Sequence, residues 1–171
     1  MIGQLPLWTD LFFPQRGGGR EGIAKGYKGI GTTLHALTDG EGNLLSFTLT
    51  PANDSELMQV EPLLKQCKKA IGRTPRLLFA DRGYDAEWLR YKLTWFYKMG
   101  SSIPMRKFDA SRKGQYRPIK SDGVRWKVER TFAWLYKKFR RLTQRWERLF
   151  SVNHAFFSLG FCKLWMDRLL R

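Results

Sequence analysis

Three acids in this 171-residue chain stand in surroundings that suggest chemistry more than solvation. Asp10 lies inside an apolar, aromatic segment, with Trp8 before it and Leu11, Phe12 and Phe13 after it. Asp81 ends the run "RLLFA", where a buried strand would present a carboxylate at its C-terminal tip, beside the crevice in which α/β sheets bind ligands. Glu129 sits within the basic, aromatic stretch "RWKVERTFAWLYKKFRR". Carboxylates from remote segments are what phosphodiester chemistry needs. Two divalent ions about 3.5–4 Å apart can activate the nucleophile and stabilise the leaving oxygen. Mg²⁺ takes a few carboxylate oxygens and fills the rest of its shell with water and phosphate.

Each acid also has an ordinary structural use. Glu129 can pair with Arg125 one turn earlier, a contact of about 0.3–0.5 kcal/mol on an exposed helix. Asp81 can bond nearby backbone in "DRGYD", with Asp85 capping the next helix, and Asp10 can be a surface loop acid. Helical geometry sharpens the case for Glu129. At about 100° per residue from Val128, the side chains of Phe132, Leu135, Phe139 and Leu142 gather within about 40° as a buried stripe. Arg125, Tyr136 and Glu129 follow at about 60°, 80° and 100° along one border of that stripe. Lys127, Arg130, Lys137, Lys138 and Arg141 face solvent. Arg141, Arg145 and Arg148 recur at steps of three and four and suit either a phosphate-binding ridge or a solvated face. Arg82, next to Asp81, is placed to steady its carboxylate or to touch a phosphate.

These residues need elements to hold them. "WTDLFF", "TTLHALTD" and "NLLSFTLT" read as strands, the last two joined by "GEG". A helix follows, with Asp54 or Ser55 as its cap, Leu57, Val60, Leu63 and Leu64 at helical spacing and Gly72 as its stop. "PRLLFA" is a short buried strand, "AEWLRYKLTWFYKMG" a helix closed by Gly100, and "SSIPM" a further strand. Two helices, over about 123–142 and 151–171, finish a single α/β domain with a mixed sheet. Residues 15–31 read as a basic, glycine-rich loop without a phosphate-binding motif, and residues 106–122 as a basic connector.

Composition selects the partner. With 31 Lys and Arg against 15 Asp and Glu the formal charge is +16, which favours a polyanion. The charge is interleaved with Trp, Tyr and Phe, and no run of eighteen uncharged apolar residues exists, so nucleic acid is favoured over membrane. Cys67 and Cys162 lack zinc-site spacing and are expected to be reduced core thiols. His35 and His154 are expected to be packed or on the surface, and Trp88, Trp95, Trp126, Trp134, Trp146 and Trp165 mostly in the core or an interface. No export signal is apparent, so a cytoplasmic location is expected.

With these residues in place, the sequence resembles the DDE transposases of bacterial insertion sequences, of the insertion-sequence four/five type. The likeness runs through "GGGREGIAKGYKGIGTTLHALTDGEGNLL", "TPANDSELMQVEPLL", "FADRGYDAEWLR", "SIPMR" and "RWKVERTFAWLYKKFRRLTQRWER". It implies a ribonuclease-H-like fold and an Asp-Asp-Glu site using Mg²⁺ or Mn²⁺. It also implies cleavage and strand transfer at the terminal inverted repeats, action as a homodimer on DNA, and a nucleoid setting. Asp81 and Glu129 fall on the second aspartate and the glutamate, and Asp10 on the first aspartate, although Leu11 replaces the small residue usual after it. In the signature around the glutamate, Arg125 fits its position, Asp122 replaces Tyr, and Tyr136 replaces Lys, with Lys137 and Lys138 just beyond. Such relatives carry a region before the first aspartate, so a truncated, inactive DNA-binding remnant is one alternative. A metal-dependent nuclease on the same fold is another.

Overall fold

β1 (Leu7–Pro14) lies at the centre of a six-stranded mixed sheet. The computed structural model describes residues 7–14, 21–105, 122–143 and 145–170, with the side chains of residues 7–10 and 122–125 outside the described set. β1 runs antiparallel to β3 (Gly29–Thr38), in register from Leu7 against Thr38 to Pro14 against Gly31. On its other side it is parallel to β5 (Leu77–Phe79), meeting it where Leu7 faces Phe79. β5 pairs in parallel with β6 (Gly100–Ser102). The far edge of β3 is shared by β2 (Ala24–Gly26), over its first residues, and β4 (Leu44–Pro51), over the rest.

Helices cover both faces. α1 (Val60–Ile71) and α2 (Glu87–Trp95) pack Val60, Leu63, Leu64, Leu89 and Leu93 against Leu37 and Leu78 on one side. α3 (Asp122–Lys138) and α4 (Phe150–Leu169) pack Val128, Phe132, Leu135, Phe157 and Phe161 against Phe13, Leu34, Ala36 and Phe79 on the other. Adjacent residues of one strand thus feed opposite cores, as the period of two requires. The stripe expected on the helix around Glu129 is the buried one, with Phe139 partly covered.

The β3–β4 hairpin is set by Asp39, whose Oδ1 accepts from the N–H groups of Glu41 and Asn43 at 2.9 and 2.8 Å. Gly42 completes the turn at φ +81°, with α3 directly above it. A Cβ there would stand 2.6 Å from the Lys127 carbonyl oxygen and 2.9 Å from Thr131 Oγ1. Gly42→Ala combines left-handed strain with a backbone clash, so it is expected to destabilise the domain by about 2 kcal/mol in urea unfolding. A loss under about 0.5 kcal/mol, the level of an inert surface change, would contradict this packing.

Several expectations are corrected. Part of the glycine-rich stretch is ordered sheet: Ala24–Gly26 turns back on Gly29–Gly31 as a short hairpin, while residues 15–20 lie outside the described set. α2 stops at Trp95 instead of running to Gly100, because Lys98 takes a positive φ of 52° and Gly100 opens β6 with its N–H on the Arg76 carbonyl. Its N-cap is Ala86, and Asp85 instead holds Arg90. α3 ends at Lys138, four residues early, and a 3₁₀ turn follows at Arg140–Thr143. Gly72 stops α1 as expected, at φ +74°. Cys67 is buried, but Cys162 is exposed on the outer side of α4. None of the six tryptophans is fully buried: Trp88, Trp95, Trp126 and Trp146 are exposed, and Trp134 and Trp165 partly covered. The connector expected at 106–122 lies outside the described residues except for Asp122, which begins α3.

Candidate active site

β5 ends at Phe79, level with Leu7 of its neighbour, and beyond Leu7 no strand among the described residues pairs with that edge of β1. Asp81 lies two residues past Phe79, and Asp10 three residues past Leu7 along β1, opposite His35 of β3. β6 carries the chain to this point, since the Ala80 N–H still bonds the Ser102 carbonyl. Asp81 then caps the 3₁₀ turn Arg82–Tyr84, its Oδ1 accepting the Gly83 N–H at 2.8 Å. One oxygen is held by backbone, and the carboxylate remains exposed.

α3 packs over the face of the sheet that carries Phe13, Leu34 and Ala36. Its first turns touch the β3–β4 hairpin, where Thr131 Oγ1 donates to the Gly42 carbonyl at 2.6 Å. Five residues on, the Tyr136 hydroxyl donates to the Phe12 carbonyl at 3.4 Å, and its ring stacks on Phe13 at 5.2 Å between centroids. Glu129 precedes Tyr136 by seven residues, about 10 Å of rise and about 20° of rotation, so it shares the Tyr136 side of α3. Asp10 thus lies on β1, beside the strand whose end leads to Asp81, and Glu129 lies on α3, which packs over this sheet.

The donor set suits a hard cation, because aspartate and glutamate oxygens are the ligands Mg²⁺ and Mn²⁺ prefer. Asp81 and Glu129 are both exposed. Among the described residues no three His, Cys, Asp or Glu side chains form a metal-holding group, and the Asp10 side chain is not one of those described. A cleft of about 350 Å³ opens beside Gly83, walled by Phe12 and Thr33 of the sheet, by Tyr27 and Lys28 of the β2–β3 turn and by residues 52–57. Glu56 lines the cleft, and its Oε2 and Asp81 Oδ1 both flank Gly83. Nothing in its spacing marked it.

Burial pushes the Tyr136 phenol up to about 12. The residue standing where the signature has Lys is thus a neutral hydrogen-bond donor at neutral pH. Because its folded value lies above the ordinary 10, the protonated phenol favours the fold below pH 10, and that contribution is lost as pH rises from 10 towards 12. Phenolate absorbance should therefore show Tyr136 titrating late and together with unfolding, and Tyr136→Phe should reduce the late amplitude, leaving that of Tyr97, which burial and Glu61 also push up.

The basic residues divide. Lys137 and Arg148 are exposed, as is Arg82. Lys138 is paired with Asp167 and Arg141 with Glu147. The Arg125 side chain lies outside the described set. Arg145 is not a DNA-facing residue: it is 2% exposed, and burial pushes its guanidinium down from its ordinary value. Its Nη1 donates to the Gly22 carbonyl at 3.1 Å and to Thr32 Oγ1 at 3.0 Å, and its Nε to the Glu147 carbonyl at 3.2 Å. The proposed ridge assumed one continuous helix, and the turn after Lys138 breaks it.

A central parallel pair with two antiparallel strands on one side and helices on both faces is the ribonuclease-H-like arrangement, and solved structures agree. A piggyBac transposase in a synaptic complex with hairpin DNA superimposes over 92% of this chain and 45% of its own, with a TM-score of 0.61 at 10% identity. The family model for the transposase DDE domain matches residues 8–165. This chain belongs to the DDE transposases of bacterial insertion sequences. It is 35% identical over 147 residues to a putative transposase for insertion sequence element IS402 of Burkholderia cepacia, covering 82% of this chain and 65% of the relative. It is 33% identical over 128 residues to the transposase for insertion sequence element IS1106 of Neisseria meningitidis serogroup B, covering 72% and 42%. The chain therefore spans just under two thirds of one relative and under half of the other.

Proposed function

We propose that this domain cleaves and joins DNA phosphodiesters at the ends of an insertion sequence, with Asp10, Asp81 and Glu129 as its metal-holding carboxylates. What supports the reading is the place of Asp10 on β1, beside the strand that leads to Asp81, together with the tie of α3, which carries Glu129, to the β1 backbone through Tyr136. Mg²⁺ or Mn²⁺, when bound there, supplies Lewis-acid activation of the attacking hydroxyl and charge stabilisation for the leaving oxygen. The chain's own residues do the positioning. Gly83 N–H orients the Asp81 carboxylate, and Tyr136 locks α3, which carries Glu129, to the β1 backbone. Lys137 and Arg148 are exposed cations available to DNA phosphates, each worth about one unit of salt slope in binding. Lys138 and Arg141 would have to exchange an internal carboxylate for phosphate. Lys137 takes the role that the Lys of the signature would have had.

Strand transfer with a pre-cut terminal repeat and a divalent ion tests the proposal. Joined products support it. Cleavage without joining supports a nuclease, and salt-sensitive binding without either supports a remnant that only binds DNA; both results contradict it.

A further inference from the structure

We propose that α4 carries a self-association face, on which a second copy of this chain docks through its own α4. This goes beyond the catalytic reading and does not depend on it. α4 is apolar on two sides. One side, with Asn153, Phe157, Gly160, Phe161 and Leu164, is buried on the sheet. The opposite side presents Val152, Ala155, Leu159, Cys162, Met166 and Leu169, spaced 3, 4, 3, 4 and 3 residues apart, and every one of them is exposed.

That spacing is the heptad seam of a helix pair, and it carries no charge over about 26 Å of helix. A helix apolar all round belongs in a buried setting, and monomers rarely leave so long an apolar strip in water. Val152 is 40%, Leu159 66%, Met166 53% and Leu169 75% exposed. With the flanking Leu149 and Leu170 the strip offers roughly 700 Å² of apolar surface, close to the ~800 Å² per partner of a standard interface.

The occupant follows from charge and symmetry. DNA is excluded as the ligand of a face without cations. A chain of formal charge +16 repels its own copies, and this uncharged strip is where two copies meet with little repulsion or desolvation. A seam of one residue character is its own complement, as a two-fold interface requires. The charges beside it, Lys163 and Asp167, are already paired within the helix.

Sedimentation equilibrium on the nuclease-treated full chain, without DNA, tests this. A dimer is expected at tens of micromolar, tightening as salt rises because screening weakens the repulsion between copies, whereas binding to DNA weakens with salt. The double variant Leu159→Lys, Met166→Lys should weaken association at least about tenfold with unchanged circular dichroism, because both side chains point into solvent. A short bismaleimide should link Cys162 of one copy to Cys162 of the other and leave the buried Cys67 unmodified. A wild-type chain that stays monomeric, or a double variant that associates as well as wild type through some other surface, overturns the proposal.

Discussion

Asp81→Asn and Glu129→Gln are expected to lower strand transfer from a pre-cut end by at least about 10³-fold while leaving folding and salt-dependent DNA binding intact. Both side chains are exposed, and neither contributes to a core cluster, so neither change opens a cavity or strands a buried group. Asparagine can still accept the Gly83 N–H, so the turn Arg82–Tyr84 should persist. What is lost is anionic charge at the crevice. Asp10→Asn should behave alike, and the triple variant should fall little further than each single one, because groups that act as a unit fail together. A loss of tenfold or less for either of the first two changes would remove that residue from the site.

The second large effect concerns folding. Arg145→Met is expected to destabilise the domain by about 3 kcal/mol or more, since it removes one partner from a buried, hydrogen-bonded network. Thr32 Oγ1 and the Glu147 carbonyl lose their arginine donor, and the Gly22 carbonyl keeps only the Thr32 hydroxyl. Thr32 is fully buried and sits against Phe13 of β1, so the loss falls on the sheet itself. For a domain of this size the midpoint of thermal unfolding should drop by roughly 6–12 °C. Arg145→Lys should recover little of it, because an ammonium cannot reproduce the planar fork that reaches three acceptors. If Arg145 were a phosphate contact, the variant would unfold normally and bind DNA more weakly. That outcome would contradict the packing described here.

The two arginine-rich readings show where sequence is sufficient and where it is not. The stripe of Val128, Phe132 and Leu135 was legible because helical burial depends on local spacing, and the stop at Gly72 because a left-handed cap favours glycine. The strand ending at Asp81 was legible from an apolar run closing on an acid. Arg145 was not. Its burial comes from Thr32, 113 residues earlier in the chain, and from a helix that ends at Lys138 with no glycine or proline to announce it. Cys162 was misjudged for a related reason: apolar character was read as core, although both faces of α4 are apolar and only one meets the sheet. The site is intermediate. Residue types named the candidate carboxylates, whereas the neighbourhood of the strands that carry Asp10 and lead to Asp81, and the tie of the Glu129 helix to β1 through Tyr136, are long-range pairings that no local spacing encodes.

That Asp10, Asp81 and Glu129 share a metal site is the central claim, and it can be tested without relying on activity. Fe²⁺ bound in place of Mg²⁺, with ascorbate and peroxide, generates hydroxyl radicals that cut backbone close to the ion. Mapping the fragments of the folded chain should give three clusters of cuts, near residues 10, 81 and 129, all suppressed together by excess Mg²⁺ and lost together in Asp81→Asn. Cuts near only one of these segments, or cuts at all three that respond independently to Mg²⁺, would show that the three carboxylates do not share a metal site.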